Sequence, residues 1–191
     1  MNTVNIIRVN DSVSLELMHP DHASGLFKII DGDRAYLKEW LSWLDDIRSV
    51  DDFSDFIQRA GQRYIDRREI SFTINYNNRY VGRIGLYGID HYNRLASIGY
   101  WIGEAFQGKG IMIAACKAIV DYGFDKLNLN RIEIKCGTGN IKSQKIPERL
   151  GFTKEGITRQ GETMNGKAID LNVYSILRHE WNRADPGHPR S

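Results

Sequence analysis

The chain has 191 residues, of which 26 are Lys or Arg and 24 are Asp or Glu, so its net charge is only +2. A hydrophobic share of 41% with 26% charged residues is typical of a globular protein, and this length favours a single domain. The small net charge argues against nucleic acid as the main partner, because phosphate binding relies on a concentrated excess of basic residues. The sequence has no long apolar run and no apolar leader, so neither a membrane protein nor an exported one is expected. Two cysteines are too few for a disulfide framework, which favours a reducing cytoplasm.

The first third of the chain is predicted to be mainly helical after one short strand. Residues 13–17 alternate apolar and polar side chains before a proline, which is typical of a strand. Two short helices are predicted around residues 26–30 and 36–44. A third helix begins near Ser49, which stands three residues before Asp52 as a capping pair.

The rest of the chain is predicted to mix strands with helices. Residues 70–76 and 80–86 alternate around two asparagines and predict a hairpin, and residues 97–102 are typical of a buried strand. Apolar residues from Ile111 to Phe124 recur with a period of 3.6, which predicts the most regular helix. A strand over 131–136 and a short helix over 142–150 follow. The last hairpin has arms at 156–164 and 168–177 around Asn165-Gly166.

A glycine-rich segment over residues 103–110 joins the buried strand to the regular helix. Such a turn presents unpaired backbone N–H groups and the positive end of a helix dipole, which favours a phosphate ligand. The spacing partly matches the P-loop of nucleotide triphosphatases, but Gly110 stands where that motif needs a hydroxyl for magnesium. The two predicted hairpins also disagree with the parallel sheet of that fold. Another interpretation is that the loop is only a turn and that Tyr100 and Trp101 are core residues.

Several motifs resemble the GNAT N-acetyltransferase superfamily over nearly the whole chain. Residues 98–102 followed by Gln107-Gly108-Lys109-Gly110-Ile111 are similar to its acetyl-coenzyme A motif, Gln/Arg-x-x-Gly-x-Gly/Ala. The last position departs from this pattern, because it is Met112. Further motifs resemble the Rim-type branch, which acetylates the N-termini of ribosomal proteins: Asn140-Ile141-Lys142-Ser143, Glu148-Arg149-Leu150-Gly151-Phe152, Asn165-Gly166, Asp170 and Tyr174.

The resemblance implies one α/β domain, of mixed α+β type, over residues 1–181. Its sheet would be twisted, largely antiparallel and flanked by helices, and residues 182–191 would form a flexible tail. The implied site binds acetyl-CoA, with a diphosphate on the backbone N–H groups of residues 107–112. The implied cofactor-binding residues are Gly99, Tyr100, Trp101, Ile102, Gln107, Gly108, Lys109, Gly110, Ile111, Met112, Asn140 and Ser143.

In this family the pantetheine arm lies in a gap where the central strand and the next one splay apart. The resemblance therefore implies that residues 99–102 line such a gap and that a backbone N–H near Tyr100 supports the developing oxyanion. Met112 crowds the first turn of the helix, so its effect on cofactor affinity or loop geometry is left open.

Amine acetylation requires a base, an oxyanion site and a hydrogen-bond donor for the departing sulfur. The resemblance implies that Glu162 is the general base and that Ser143 donates to the thiolate. Simpler interpretations stay open: a solvated strand carboxylate for Glu162, and local helix-start roles for Ser143 and Asn140. The roles of Asp170 and Tyr174 are also open. The five histidines show no ligand spacing, so no metal is expected.

The predicted activity is direct transfer of acetyl from acetyl-CoA to an amine. By resemblance, the acceptor is a protein N-terminal α-amine, such as that of a ribosomal protein. A small amine such as a polyamine or aminoglycoside is the alternative acceptor, and a non-catalytic acyl-CoA-binding module is the alternative function. Neither nucleic acid nor a membrane is an expected partner, and the oligomeric state is open, with a homodimer among the options.

The small net charge hides an uneven distribution. Residues 31–55 contain eight acidic and three basic residues, whereas residues 107–149 contain eight basic and four acidic ones. The basic segment suits the phosphates of coenzyme A. The acidic segment is expected to attract a cationic amine.

Overall fold

The computed structural model describes residues 5–184, and within them one sheet carries helices on both faces. The strands are β1 Ile6–Arg8, β2 Val13–Leu17, β3 Glu69–Tyr76, β4 Arg79–Asp90, β5 Leu95–Ile102, β6 Arg131–Gly137, β7 Thr153–Met164 and β8 Lys167–Leu177. The helices are α1 Ala23–Gly32, α2 Arg34–Lys38, α3 Val50–Ile65, α4 Ile111–Asp125, α5 Ile141–Arg149 and α6 Arg178–Ala184, with short 3-10 turns at Pro20–His22, Ser42–Asp46 and Glu104–Phe106.

The eight strands are ordered β1-β2-β3-β4-β5-β6-β8-β7. Every neighbouring pair is antiparallel except β5 and β6, which are parallel and are connected through α4. This arrangement confirms the predicted mixed α/β fold with a largely antiparallel sheet.

Two apolar cores pack on opposite faces of the sheet. Side chains alternate between faces along a strand, so Ile98 and Trp101 of β5 point to opposite sides. Ile98 belongs to the larger core, which α4 covers with residues such as Ala115 and Ile119. Trp101 belongs to the smaller core, which α1, α2 and α3 cover. Residues of both cores, such as Ile98 and Trp101, therefore line the cleft described below.

Local chemistry accounts for the elements that the sequence predicted. Ser49 accepts from the Asp52 N–H while the Asp52 carboxylate accepts from the Ser49 N–H, which forms the predicted capping box of α3. Asn77 and Asn78 have φ of 49° and 61° at the turn of the first hairpin, a left-handed conformation that asparagine tolerates. The regular helix, the buried strand and both hairpins are likewise confirmed.

Three element boundaries differ from the prediction. The short strand β1 was not predicted, because three residues are too few to establish an alternating pattern. The helix predicted over 36–44 ends at Lys38, and the chain turns again only at Ser42–Asp46 because Leu41 is extended. Strand β7 begins at Thr153, and Gly156, at which the prediction began, lies beside a bulge with φ of 155°.

The predicted tail over 182–191 starts inside α6, and its residues from 185 onward lie outside the described residues. In the described part of the chain, no helix is both long enough and apolar enough to cross a bilayer.

Candidate active site

A cleft of about 930 Å³ opens where the two parallel strands separate. The β5–β6 pairing ends at Ile98 and Ile134, yet β5 continues to Ile102 and β6 to Gly137. Each strand remains paired on its other side, β5 with β4 and β6 with β8. The backbone edges beyond Ile98 and Ile134 therefore face each other across a gap without pairing to each other.

Gly99 to Ile102 form one wall of this gap. Gly99 leaves little room for a side chain, because a Cβ at this position would lie 3.1 Å from the ring of Tyr87. Trp101 is 5% exposed and joins the smaller core, while Tyr100 points toward the larger one. These residues are thus both core residues and cleft residues, so the two interpretations of the sequence are compatible.

The glycine loop leads from β5 into the first turn of α4. Gly108 and Gly110 have φ of 73° and 75°, a left-handed conformation that favours glycine, and Gly110 is the N-cap of α4. No side chain caps this helix, so its first N–H groups point out of the helix without intrahelical partners. The Gln107 N–H was expected to be available to a phosphate, but it donates to the Glu104 carbonyl at 3.2 Å. The Gln107 N–H is therefore already paired within the protein, unlike the prediction for residues 107–112. Met112 is 7% exposed and packs into the larger core, and it also contributes to the lining of the cleft.

Gln107 links three elements through its side chain. Its amide nitrogen donates to the Tyr36 hydroxyl on α2, and its amide oxygen accepts from Lys142 Nζ on α5 at 3.0 Å. Lys142 also lies over the Tyr36 ring, 5.2 Å from its centroid. Lys109 does not line the cleft, and its ammonium lies over the Phe106 ring at 5.4 Å.

Ser143 lies on α5 beside the gap. Its N–H donates to Asn140 Oδ1 at 3.0 Å, so Asn140 is the N-cap of α5 and its amide oxygen is already engaged. The Ser143 hydroxyl lies 3.0 Å from the Tyr100 hydroxyl and 3.2 Å from Cys136 Sγ. Burial raises the pKa of Tyr100 well above its ordinary value, and burial also raises the pKa of Cys136. Both groups stay protonated near neutral pH and can act as hydrogen-bond donors.

Glu162 lies on β7 and lines the cleft. Its position depends on an irregularity in the β7–β8 ladder, where Thr158 pairs with Leu171 but the next pair is Glu162 with Ile169. The Gln160 N–H donates to Asp170 Oδ1 at 2.7 Å inside this irregular stretch, and Gln160 has φ of 49°. Asp170 therefore fixes the backbone that carries Glu162, which gives it the orienting role that the sequence left open.

Tyr174 has a structural role within the described residues. It is buried, and its hydroxyl donates to Glu148 Oε1 at 3.1 Å. Desolvation raises the pKa of Tyr174 to about 12. Tyr174 thus ties α5 to β8 and is not among the residues that line the cleft.

None of the eight acidic residues of the acidic segment lines the cleft, although its residues Tyr36, Leu37, Trp40, Leu41 and Trp43 do. Several of these carboxylates have local partners: Asp45 pairs with Lys38 at 2.7 Å, Asp33 accepts from the Glu104 N–H at 2.7 Å, and Asp52 caps α3. The expectation that this segment attracts a cationic amine is therefore not supported at the site.

Comparison with known proteins identifies the architecture. Residues 13–153 match the family described as acetyltransferase (GNAT) domain. The chain belongs to the GNAT acetyltransferase family. It is 38% identical over 175 residues to YdaF of Bacillus subtilis, which is named as a candidate ribosomal N-acetyltransferase, covering 91% of this chain and 96% of that protein. It is 30% identical over 173 residues to the ribosomal-protein-serine acetyltransferase of Escherichia coli strain K12, covering 90% and 96%.

A solved GNAT structure has the same fold. The ribosomal L7/L12 α-N-protein acetyltransferase RimL, determined in complex with coenzyme A, superposes with a TM-score of 0.86 at 28% identity, covering 90% of this chain and 97% of that one. The resemblance to the GNAT superfamily that the sequence motifs indicated is confirmed.

The GNAT motifs did not indicate a charged group that lines the same cleft. Arg63, Glu69 and Arg83 come from α3, β3 and β4, and no local spacing connects them. A weak signal was available, because Glu69 and Arg83 are charged residues within or next to strands that are otherwise apolar. Within residues 5–184, no group of three or more histidine, cysteine or carboxylate side chains is arranged to hold a metal ion.

Proposed function

We propose that this GNAT protein transfers the acetyl group of acetyl-CoA to the α-amine at the N-terminus of a protein, with a ribosomal protein as the first candidate acceptor. The observation that carries the proposal is the gap between β5 and β6, which is lined by the glycine loop, by Ser143 and by Glu162. The names of its relatives support the ribosomal acceptor.

The residues around the gap fit coenzyme A. Backbone N–H groups from Gly108 to Met112 would hold the diphosphate at the positive end of α4. Three basic side chains of α5 that line the cleft would add to this charge: Lys142, Lys145 and Arg149. The unpaired strand edges would bind the amides of the pantetheine arm in the way an added strand is bound.

The chain supplies the groups that the reaction needs. When bound, acetyl-CoA provides a thioester whose carbonyl carbon accepts the amine nitrogen. An N-terminal α-amine has a reference pKa of about 7.7–8.0, so part of its population is neutral near pH 7. A carboxylate such as Glu162 suffices to remove the proton that the nitrogen must lose when it bonds to the carbonyl carbon. The Ser143 hydroxyl would donate a hydrogen bond toward the departing sulfur, while the Tyr100 hydroxyl donates to the Ser143 carbonyl at 3.1 Å and contacts the Ser143 hydroxyl.

Backbone geometry supports an oxyanion site on β5. The Gly103 N–H donates to the Val81 carbonyl, toward the β4 side. Because N–H groups alternate sides along a strand, those of Tyr100 and Ile102 point toward the gap instead. Either could donate to the thioester oxygen as its negative charge develops.

The charge of the cleft favours a peptide acceptor over a polyamine. Beyond the three basic residues of α5 that are assigned to coenzyme A, the charged lining has a small positive excess and consists of Arg63, Arg83, Lys135, Glu69 and Glu162. A second cavity of about 610 Å³ adjoins the cleft at Arg63, Glu69 and Tyr87, which provides room for residues that follow the reactive amine. A polycation would be repelled by this lining, and it has no need of the second cavity.

A thiol-release assay tests the proposal. The purified protein is mixed with acetyl-CoA and either N-terminal peptides of ribosomal proteins or spermidine, and mass spectrometry locates the added acetyl group. We expect release with peptides and acetylation at the α-amine. Glu162→Gln should lower kcat by about a hundredfold with little change in acetyl-CoA affinity. Release with spermidine but not with peptides would reject the proposed acceptor, and coenzyme A binding without release from any amine would favour a non-catalytic binding module.

We further propose the cytoplasm as the setting of the reaction. Both Cys116 and Cys136 are free thiols, and Cys136 is close to the site, which suits a reducing compartment.

A further inference from the structure

Four residues on the acceptor side of the cleft form a compact ionic group, which we call the arginine cluster: Arg63, Glu69, Ser71 and Arg83. Glu69 is 6% exposed and accepts from Arg63 Nε at 2.5 Å, from Arg83 Nη2 at 2.5 Å and from Ser71 Oγ at 2.6 Å. Although desolvation opposes its ionisation, hydrogen bonds and the nearby arginines hold the pKa of Glu69 below its ordinary value. The cluster therefore contains one carboxylate and two guanidinium groups, so it has a net positive charge.

Two hydrogen-bond donors on cleft-lining residues have no partner within the described structure. Arg83 Nε and Trp101 Nε1 are buried and make no hydrogen bond within the described structure. Arg83 and Trp101 are directly paired across β4 and β5, and both residues line the cleft. Buried unpaired N–H groups are costly, so these two donors mark a polar spot in the wall of the cleft whose acceptor comes from outside the protein, as ordered water or as a ligand.

The surroundings of the cluster restrict what that ligand can be. Phe56 covers the Arg83 guanidinium, which lies 5.2 Å from its ring centroid and is thereby held in place. The cluster also forms the junction with the second cavity, which adds Arg68 and His91 to the lining along with Asp90. The Asp90 carboxylate is engaged by the Asn93 N–H at 2.8 Å and by Asn93 Nδ2 at 2.7 Å. An acceptor that extends from the cleft into this cavity passes a surface on which positive charge is in excess.

We propose that the arginine cluster selects acceptors that carry a carboxylate within a few residues of the reactive amine, so that the preferred substrate is an acidic N-terminal segment. This inference rests on the proposed function, because it assumes a peptide acceptor. Guanidinium groups bind carboxylates with strong, directional hydrogen bonds, and a held guanidinium loses little freedom on binding. A lysine at the same place in the acceptor is repelled.

The first test compares peptides that share their N-terminal residue and differ only at the second, third or fourth position. Each position carries Glu, Gln or Lys in turn, and spermidine is included as a small cationic acceptor. We expect kcat/KM at one of these positions to be about tenfold higher for Glu than for Gln, and lower again for Lys.

The second test assigns the preference to the cluster. Arg63→Gln removes the excess positive charge while Arg83 still pairs with Glu69, and it alters a side chain that is 41% exposed. The Glu-to-Gln preference should fall toward one in this variant. Arg59→Gln is the matched control, because it makes the same change on the exposed side of the same helix and its residue does not line the cleft. The control should retain the preference, and circular dichroism should show both variants folded.

The outcomes separate the two proposals. Equal kcat/KM for Glu, Gln and Lys peptides, or a preference for Lys, overturns the selection of acidic acceptors and leaves N-terminal acetylation intact. A Glu preference that persists in Arg63→Gln overturns the assignment to this cluster. Thiol release with spermidine but with no peptide overturns the proposed function and the acidic preference together. The absence of thiol release with every acceptor does the same.

Discussion

Ser143 serves both the helix that carries it and the site beside it. Its backbone N–H is held by the N-cap Asn140, while its hydroxyl contacts Tyr100 and Cys136. The capping contact is made by the backbone and the contacts with Cys136 and the Tyr100 hydroxyl by the side chain, so the two roles can be separated by mutation. A substitution that keeps the backbone should preserve the start of α5 and alter only the chemistry.

We expect Ser143→Ala to lower kcat roughly ten- to a hundredfold with near-normal acetyl-CoA affinity, because the donor to the sulfur is weakened while the cap survives. Single-turnover kinetics and calorimetric titration of coenzyme A measure the two effects. Tyr100→Phe and the double variant complete a cycle, and strongly non-additive losses are expected because the hydroxyls are in contact. Normal single-turnover rates in Ser143→Ala would reduce Ser143 to a helix residue.

At the scale of elements, irregular pairing positions the reactive groups. The β5–β6 ladder stops at Ile98 and Ile134, which creates the gap, and the β7–β8 ladder is irregular between Thr158 and Glu162, which positions the proposed base. Regular ladders would have closed the first and shifted the second. Bulges of this kind are common next to active sites, since they re-aim a side chain.

Asp170 should act as a positioning residue for Glu162. Asp170→Ala removes the acceptor for the Gln160 N–H, so the β7 irregularity loses its fixed point and kcat should fall about tenfold. Asp170→Asn retains an acceptor oxygen and should restore most of the activity. The readout is kcat for the two variants at unchanged acetyl-CoA affinity. If Asn and Ala behave alike, the carboxylate acts by charge and not by holding the backbone.

For the whole molecule, a three-strand ionic contact ties the outer strand to the sheet. Arg131 of β6 donates to both oxygens of Glu155 on β7 at 2.6 Å, and Ser175 of β8 donates to Glu155 at 2.7 Å. Hydrogen bonds from Arg131 and Ser175 lower the pKa of Glu155 to about 2. Because β7 is the last strand of the sheet and carries Glu162, its attachment bears on activity as well as stability.

The pH dependence of this contact follows from the direction of the shift. A lowered pKa in the folded state means that the contact stabilises the protein fully above about pH 4.5 and is lost as the pH falls toward 2. Glu155→Gln should reduce the free energy of unfolding by at most about 1 kcal/mol at pH 7, because the pair is partly exposed. Urea unfolding at several pH values should show the gap between wild type and variant closing in acid. A gap that is constant with pH, or equal to that of the exposed control Asp55→Asn, would contradict this origin.

The sequence by itself determined the elements and the family. Periodicity predicted α4 and the two hairpins, Ser49 and Asp52 predicted the start of α3, and the glycine loop indicated a phosphate ligand at the end of β5. These features depend on neighbours within a few residues, so short patterns encode them.

Only the tertiary structure decided which charged side chains line the cleft. The arginine cluster brings together residues 63, 69 and 83 from three elements. None of the acidic residues in the segment over 31–55 lines the cleft, and Asp33 and Asp45 are engaged by Glu104 and Lys38. Neither result can be read from spacing, because each depends on strand register and on which side chains are buried together. The same long-range pairing leaves Arg83 and Trp101 with buried donors that no residue of the described structure satisfies.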